Sequence, residues 1–201
     1  MTDGELLAAI FPESAHSLDI ILERVGNFSR LLNMSAPELT ALGLDDKTAQ
    51  KLTLLPEAAR RYFTSEHKEG EMLTDSDGAA EFLAPYFTGK THESAVFCTL
   101  GGRAEVIAVH EIDGGSRSEI NIDPGELIRI ALTDGARGAI LAHNHPCGFA
   151  VPSQADITLT RDILFLLRDI RVALCDHIIF AGNDFCSMAK TGRVPELSYS
   201  D

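Results

Sequence analysis

The chain has 201 residues, 45% of them hydrophobic and 23% charged, which suits one medium domain or one domain with a small helical partner. It holds no apolar run of about eighteen residues and no basic segment ahead of the apolar residues in MTDGELLAAIFPE, so neither a membrane-spanning helix nor a secretory signal is expected. The net charge of -13 argues against a broad, non-specific grip on nucleic acid, which needs a basic face, and leaves room only for a local basic patch.

Residues 1–63 read as helices. ELLAAIF, SLDIILERV, FSRLLN, APELTAL and DKTAQKLTLLPEAARRYF each carry apolar residues three and four apart. Ser35 with Glu38 marks a helix start. The polar stretch TSEHKEGEMLTDSDG reads as a linker over 64–75, running into a larger domain from about residue 76 that opens with the helix AAEFLAPYF. From Glu93 the period changes: ESAVFCTL, AEVIAVHEI and EINI are short β-rich runs separated by Gly-Gly pairs. DPGELIRIALTDG is a helix with Asp123 as cap, Pro124 at its first position and Gly135 at its end. AILA is a buried strand. A helix from Ser153 to about Leu167 has Ile157, Thr160, Leu164 and Leu167 on one face. RVALCDHIIFA is a last long strand, GND a turn and FCSMA a short return strand, and 194–201 is a tail. The alternation predicts an α/β domain over 76–193 behind a small all-helical region. Cys98, Cys147, Cys175 and Cys186 form no C-x-x-C pair. They are expected as reduced thiols of a cytoplasmic protein, three of them in the core.

The stretch HNHPCGFAVPSQAD, 143–156, lies where a strand ends and a helix begins, the junction at which open α/β folds place their chemistry. Alternate residues of an extended segment point the same way, so His143 and His145 can reach one point. The loop between them and Asp156 contains two prolines and a glycine and can fold back. Two neutral imidazoles and a carboxylate suit Zn2+ and leave a fourth position for water, the pattern of a catalytic site. Ser153-x-x-Asp156 is also an ordinary capping arrangement, and taken alone that reading is the stronger. The conjunction of H-x-H, proline-bounded loop and helix-start carboxylate is what favours metal. Asn144 should point away from the metal and brace the loop. A hydrolytic site also needs a base; Glu93, opening ESAVFCTL, is the first candidate, with Glu81, Glu105, Glu111 and Glu119 open on spacing alone.

H-x-H-P followed by S-x-x-D resembles the JAMM (MPN+) metallopeptidase motif. AILAHNHP, P-S-x-x-D-I-x-x-T, LCDHIIF and the closing S-x-x-x-T-G resemble, more closely, the RadC family of bacterial proteins. The resemblance implies a JAB/MPN fold of the cytidine-deaminase-like type, a mixed sheet with flanking helices. It implies one Zn2+ on His143, His145 and Asp156, and a glutamate base at the start of the first sheet strand, matching Glu93. It also implies that Ser153 donates to the developing oxyanion. Asp176 and His177 match the family pattern too. Adjacent on a strand, they face opposite sides; one could support a ligand imidazole from behind, or His177 could be a histidine satisfied within the sheet. Where the family usually has serine after H-N-H-P, this chain has Cys147, a thiol able to meet the metal or oxidise. His16, His67, His92 and His110 read as structural or surface residues.

The N-terminal region resembles the family's helix-hairpin-helix, whose G-x-G turn lets backbone N–H groups approach a phosphate. Here the turn is Gly43-Leu44-Asp45-Asp46, and residues 1–75 carry 13 acidic and 7 basic side chains. DNA binding is not expected, and the region reads as a helical packing or interaction module. Three functions follow from these readings. The first is a zinc-dependent hydrolase of an amide, peptide or isopeptide bond. The second is a non-catalytic DNA repair or replication protein with a structural metal. The third is a pure interaction module, against which the complete ligand set counts.

Overall fold

The computed structural model describes residues 1–65, 70–113, 122–146 and 148–199. The chain divides into two compact units, Met1–Tyr62 and Phe63–Asp201. The first is helical: α1 (Asp3–Ile10), α2 (Ala15–Val25), α3 (Phe28–Leu32), α4 (Ala36–Ala41), α5 (Asp46–Leu52) and α6, which begins at Leu54 and ends at Ser65. Leu7, Leu18, Ile21, Leu31, Leu39 and Leu52 form its core. The run expected as one helix from residue 46 onward breaks at Thr53. Pro56 has no N–H to give the Leu52 carbonyl, so it is accommodated only in the first turn of a new helix. Between α4 and α5, Gly43 takes φ +102, and Asp45 caps α5 by accepting from the Thr48 N–H at 2.9 Å.

The second unit is a mixed sheet in the order β2-β1-β3-β4-β5. The strands are β1 (Ser94–Leu100), β2 (Val106–Asp113), β3 (Gly138–Asn144), β4 (Ala173–Ala181) and β5 (Asp184–Ser187). β1 runs antiparallel to β2 and β3, β3 parallel to β4, and β5 antiparallel to β4. α8 (Pro124–Asp134), α9 (Gln154–Asp169) and α10 (Met188–Thr191) cover one face, packing on Ala95, Phe97, Leu141 and Ile179. α7 (Ser76–Leu83) and a 3-10 turn at Ala84–Phe87 cover the other, over Val96, Cys98, Ile140 and Phe180. β1 and β3 are therefore buried along their whole length, which explains why their sequences are continuously apolar rather than alternating.

Several expectations need correction. Part of the stretch read as linker is attached to the sheet: the Glu71 carbonyl accepts from Val106 N–H, Leu73 N–H donates to Ala104, and Leu73 is buried. A polar run can still pair its backbone with a sheet edge. The tail is not loose, because Val194 and Leu197 are buried in the core and Tyr199 donates to Asp176 at 3.1 Å. FCSMA is a strand only to Ser187, whose hydroxyl accepts from Lys190 N–H and starts α10. In the EINI run, residues 119–121 lie outside the described residues, as do His67 and Cys147, while Ile122 is buried beside α8 without forming a strand.

Candidate metal centre

β3 delivers His143 on the face that α9 covers, because His143 alternates with Leu141 of that face's core. The backbone stays extended one residue past β3, since His145 N–H donates to the Phe180 carbonyl of β4 at 2.7 Å. The two imidazoles consequently point the same way, their ring centroids 4.8 Å apart. α9 supplies the third group. Ser153 is its N-cap and Asp156 its third residue, closed as a capping box: Asp156 N–H donates to Ser153 Oγ at 3.1 Å, and Ser153 N–H donates to Asp156 Oδ2 at 2.6 Å.

Capping does not use up the Asp156 carboxylate. Oδ1 lies 3.2 Å from His143 Nε2, and Oδ2 lies 3.6 Å from His145 Nε2. The two Nε2 atoms are 2.9 Å apart. Three ligands of a tetrahedral ion bound at roughly 2.0 Å would stand about 3.3 Å from one another, so the triangle has the right size. Its charge also fits. Burial pushes Asp156 up, but the hydrogen bond and charge of His143 and the two Ser153 contacts outweigh it and hold the carboxyl well below its usual range.

The proton inventory decides what this triangle needs. His145 Nδ1 lies 3.1 Å from the Phe149 carbonyl, which can only accept. Neutral His145 therefore carries its proton on Nδ1 and presents a bare lone pair at Nε2. That lone pair and an ionised carboxylate converge on His143 Nε2 and on each other. A proton there bridges one edge of the triangle, whereas a metal ion satisfies all three corners. Among the described residues, His143, His145 and Asp156 are the group whose ligand atoms gather in this way, all within 4.8 Å.

A family model for the RadC-like JAB domain matches residues 73–193. The chain belongs to the RadC family. Similar proteins include a UPF0758 protein of Neisseria meningitidis serogroup B, 29% identical over 202 residues that span 97% of this chain and 90% of the relative. A UPF0758 protein of Xanthomonas campestris pv. campestris is 30% identical with the same coverage. The mixed sheet with flanking helices is thus the JAB fold that the sequence led us to expect.

Within this RadC-family fold the candidate bases separate by face and by end of the sheet. Ala95 pairs with His143 in the antiparallel register of β1 and β3, and continuing that register brings Glu93 level with His145 on the same face. Glu111 pairs with Val96 and so faces the other side, where Lys90 Nζ lies 3.3 Å from it. Glu81 is exposed on α7, which also covers that other face. Glu105 sits past the far end of β1, its carboxylate accepting from Arg103 N–H at 2.7 Å. Glu119 lies outside the described residues.

Asp176 and His177 do face opposite ways. Asp176 pairs with Ile140 on the α7 side, where Ser187 Oγ donates to it at 2.6 Å. His177 is fully buried on the α9 side, its Nε2 2.8 Å from His143 Nδ1. Burial first, then the charge of His143, pushes His177 well below the ordinary histidine range. Asn144 braces a different element from the one expected: it holds the start of β1 through Ser94 and the His92 carbonyl, not its own loop. His110 pairs with Asp134 at 2.7 Å, and His16 and His92 are exposed. From the sequence Thr160 is expected only on the apolar face of its helix. In the structure its hydroxyl lies 2.6 Å from His177 Nδ1, and the signal available was its place in the P-S-x-x-D-I-x-x-T pattern.

Proposed function

We propose that this RadC-family chain is a zinc-dependent hydrolase of an amide, peptide or isopeptide bond, with His143, His145 and Asp156 as zinc ligands, Glu93 as general base and Ser153 as oxyanion donor. The observation that carries this reading is the convergence of the His145 lone pair and the Asp156 carboxylate on His143 Nε2 at metal-ligand spacing. Zinc, when bound, supplies a Lewis acid that polarises the substrate carbonyl and acidifies water. The chain's own residues supply the rest. Glu93, level with His145, takes the proton of the attacking water and passes it to the leaving amine. Ser153 Oγ accepts the Asp156 N–H and so keeps its own hydrogen to donate to the developing oxyanion. Asp156 is held in place by the Ser153 N–H.

The free thiols Cys98, Cys175 and Cys186 favour a reducing cytoplasm as the working compartment. For the helical unit we favour packing or interaction over DNA binding. At the α5 start, where a phosphate would sit, Asp45 already accepts the Thr48 N–H and a hydrogen bond from Ser14 Oγ at 3.0 Å.

The test uses an internally quenched peptide library with the full chain. Glu93→Gln keeps the shape and removes the proton affinity. Zinc content and melting temperature should hold while hydrolysis falls by about two orders of magnitude, and Glu105→Gln should leave the rate intact. An unchanged rate in Glu93→Gln moves the base elsewhere. Loss of zinc makes Glu93 a ligand.

A further inference from the structure

We infer that Thr160, acting through His177, fixes the tautomer of His143 so that its Nε2 lone pair faces the metal position. The inference rests on the metal reading above and names residues that reading does not use. Thr160 Oγ has one hydrogen and two close partners. One is the Asp156 backbone carbonyl at 2.5 Å, which can only accept. The Met188 sulfur, at 3.5 Å, competes weakly. The hydroxyl hydrogen therefore goes to the carbonyl, and the oxygen must accept from the other close partner, His177 Nδ1, at 2.6 Å.

The rest follows by proton counting. In its single-proton form buried His177, whose Nδ1–H goes to Thr160 Oγ, is bare at Nε2. His143 Nδ1, 2.8 Å from that bare nitrogen, must then donate to it. When the ring carries a single proton, His143 Nε2 is left as a lone pair, turned toward His145 Nε2 and Asp156 Oδ1, the form that a metal ion would bind. The chain of bonds starts on the backbone of one proposed ligand, Asp156, and ends on the ring of another, His143. It ties α9, β4 and β3 to one proton arrangement. Thr160 and His177 are positioning residues: neither points a ligand atom at the metal position.

Removing the hydroxyl reverses the argument. In Thr160→Val the His177 Nδ1–H has no acceptor, and moving that proton to Nε2 sets it against His143 Nδ1–H. His143 then relieves the clash by carrying its proton on Nε2, the atom meant for the metal.

The test is long-range nitrogen–proton NMR of the metal-free full chain at about pH 8.5, about two units above the ordinary histidine pKa, together with zinc titration. Wild type should show His143 and His177 both protonated on Nδ1. Thr160→Val should shift both tautomers and weaken zinc binding by about 10- to 100-fold. Thr160→Ser, which keeps the hydroxyl, should stay within about threefold of wild type. His143 protonated on Nε2 in wild type overturns the inference, as does Thr160→Val with unaltered tautomers and zinc affinity. If Thr160→Val fails to fold, the wild-type and Thr160→Ser spectra still decide. Wild type that binds no zinc would sink the metal reading, while its spectrum would judge the relay independently.

Discussion

Asn144 Oδ1 accepts from both the backbone N–H and the hydroxyl of Ser94, at 2.8 and 3.0 Å, across a sequence separation of fifty residues. The amide group of Asn144 also donates to the His92 carbonyl at 3.1 Å, so one buried side chain clamps both residues that flank Glu93. A side chain lodged between the two site histidines thereby fixes where the proposed base stands. Asn144→Leu leaves the buried Ser94 N–H and hydroxyl without their acceptor and should cost about 2–4 kcal/mol, read by denaturant unfolding. The hydrolytic rate should fall with zinc still bound, because Glu93 loses its anchor. Unchanged stability would show that the clamp is dispensable.

Asp176 offers the opposite case. It is fully buried with its carboxylate on the sheet face away from the metal position, and accepts from Ser187 Oγ, Tyr199 Oη, His177 N–H and, at the start of α10, Ala189 N–H. Asp176→Asn should lower stability by about 1–3 kcal/mol and loosen the 194–199 segment, read as faster amide exchange there. Zinc stoichiometry should stay at the wild-type value. Loss of zinc in this variant would mean that the two sheet faces are coupled.

These two residues show what the sequence makes legible. The strand–loop–helix junction was readable because period and capping signals are local: the apolar AILA run, the H-x-H alternation, and Ser153 with Asp156 at helix-start spacing. The faces were harder. Glu81, Glu93 and Glu111 look equivalent along the chain, and long-range pairing is what separates them: Glu111 lies opposite Val96 on the α7 side, and the β1–β3 register continued beyond Ala95–His143 brings Glu93 level with His145. Asn144 and Ser94 are joined by a long-range pairing that no local pattern encodes. Val194, Leu197 and Tyr199 have no helical or strand period, so their burial depends on the surface they meet. Thr160 looked like a core-facing residue, and it is one; its role depends on which hydrogen-bond partners reach it there.

The pH dependence of stability follows from His177. Its folded pKa lies well below the ordinary value of 6.5 because burial penalises the charged ring. Above about pH 6.5 both folded and unfolded chains hold it neutral, and its contribution is fully present. As pH falls below that value the unfolded chain takes up the proton first, so stability declines until the folded pKa is reached. Metal-free protein should therefore lose stability as pH falls below about 6.5, with a shallower decline in His177→Gln. Equal slopes in urea melts of the two proteins would contradict this origin.

The central claim is that His143, His145 and Asp156 hold a zinc ion, and the most direct measurement is metal content by mass spectrometry on purified protein. Wild type should carry about one zinc per chain, and the His143→Ala/His145→Ala double variant should lose most of it while remaining folded by circular dichroism. Stoichiometric zinc retained in that double variant would contradict the account.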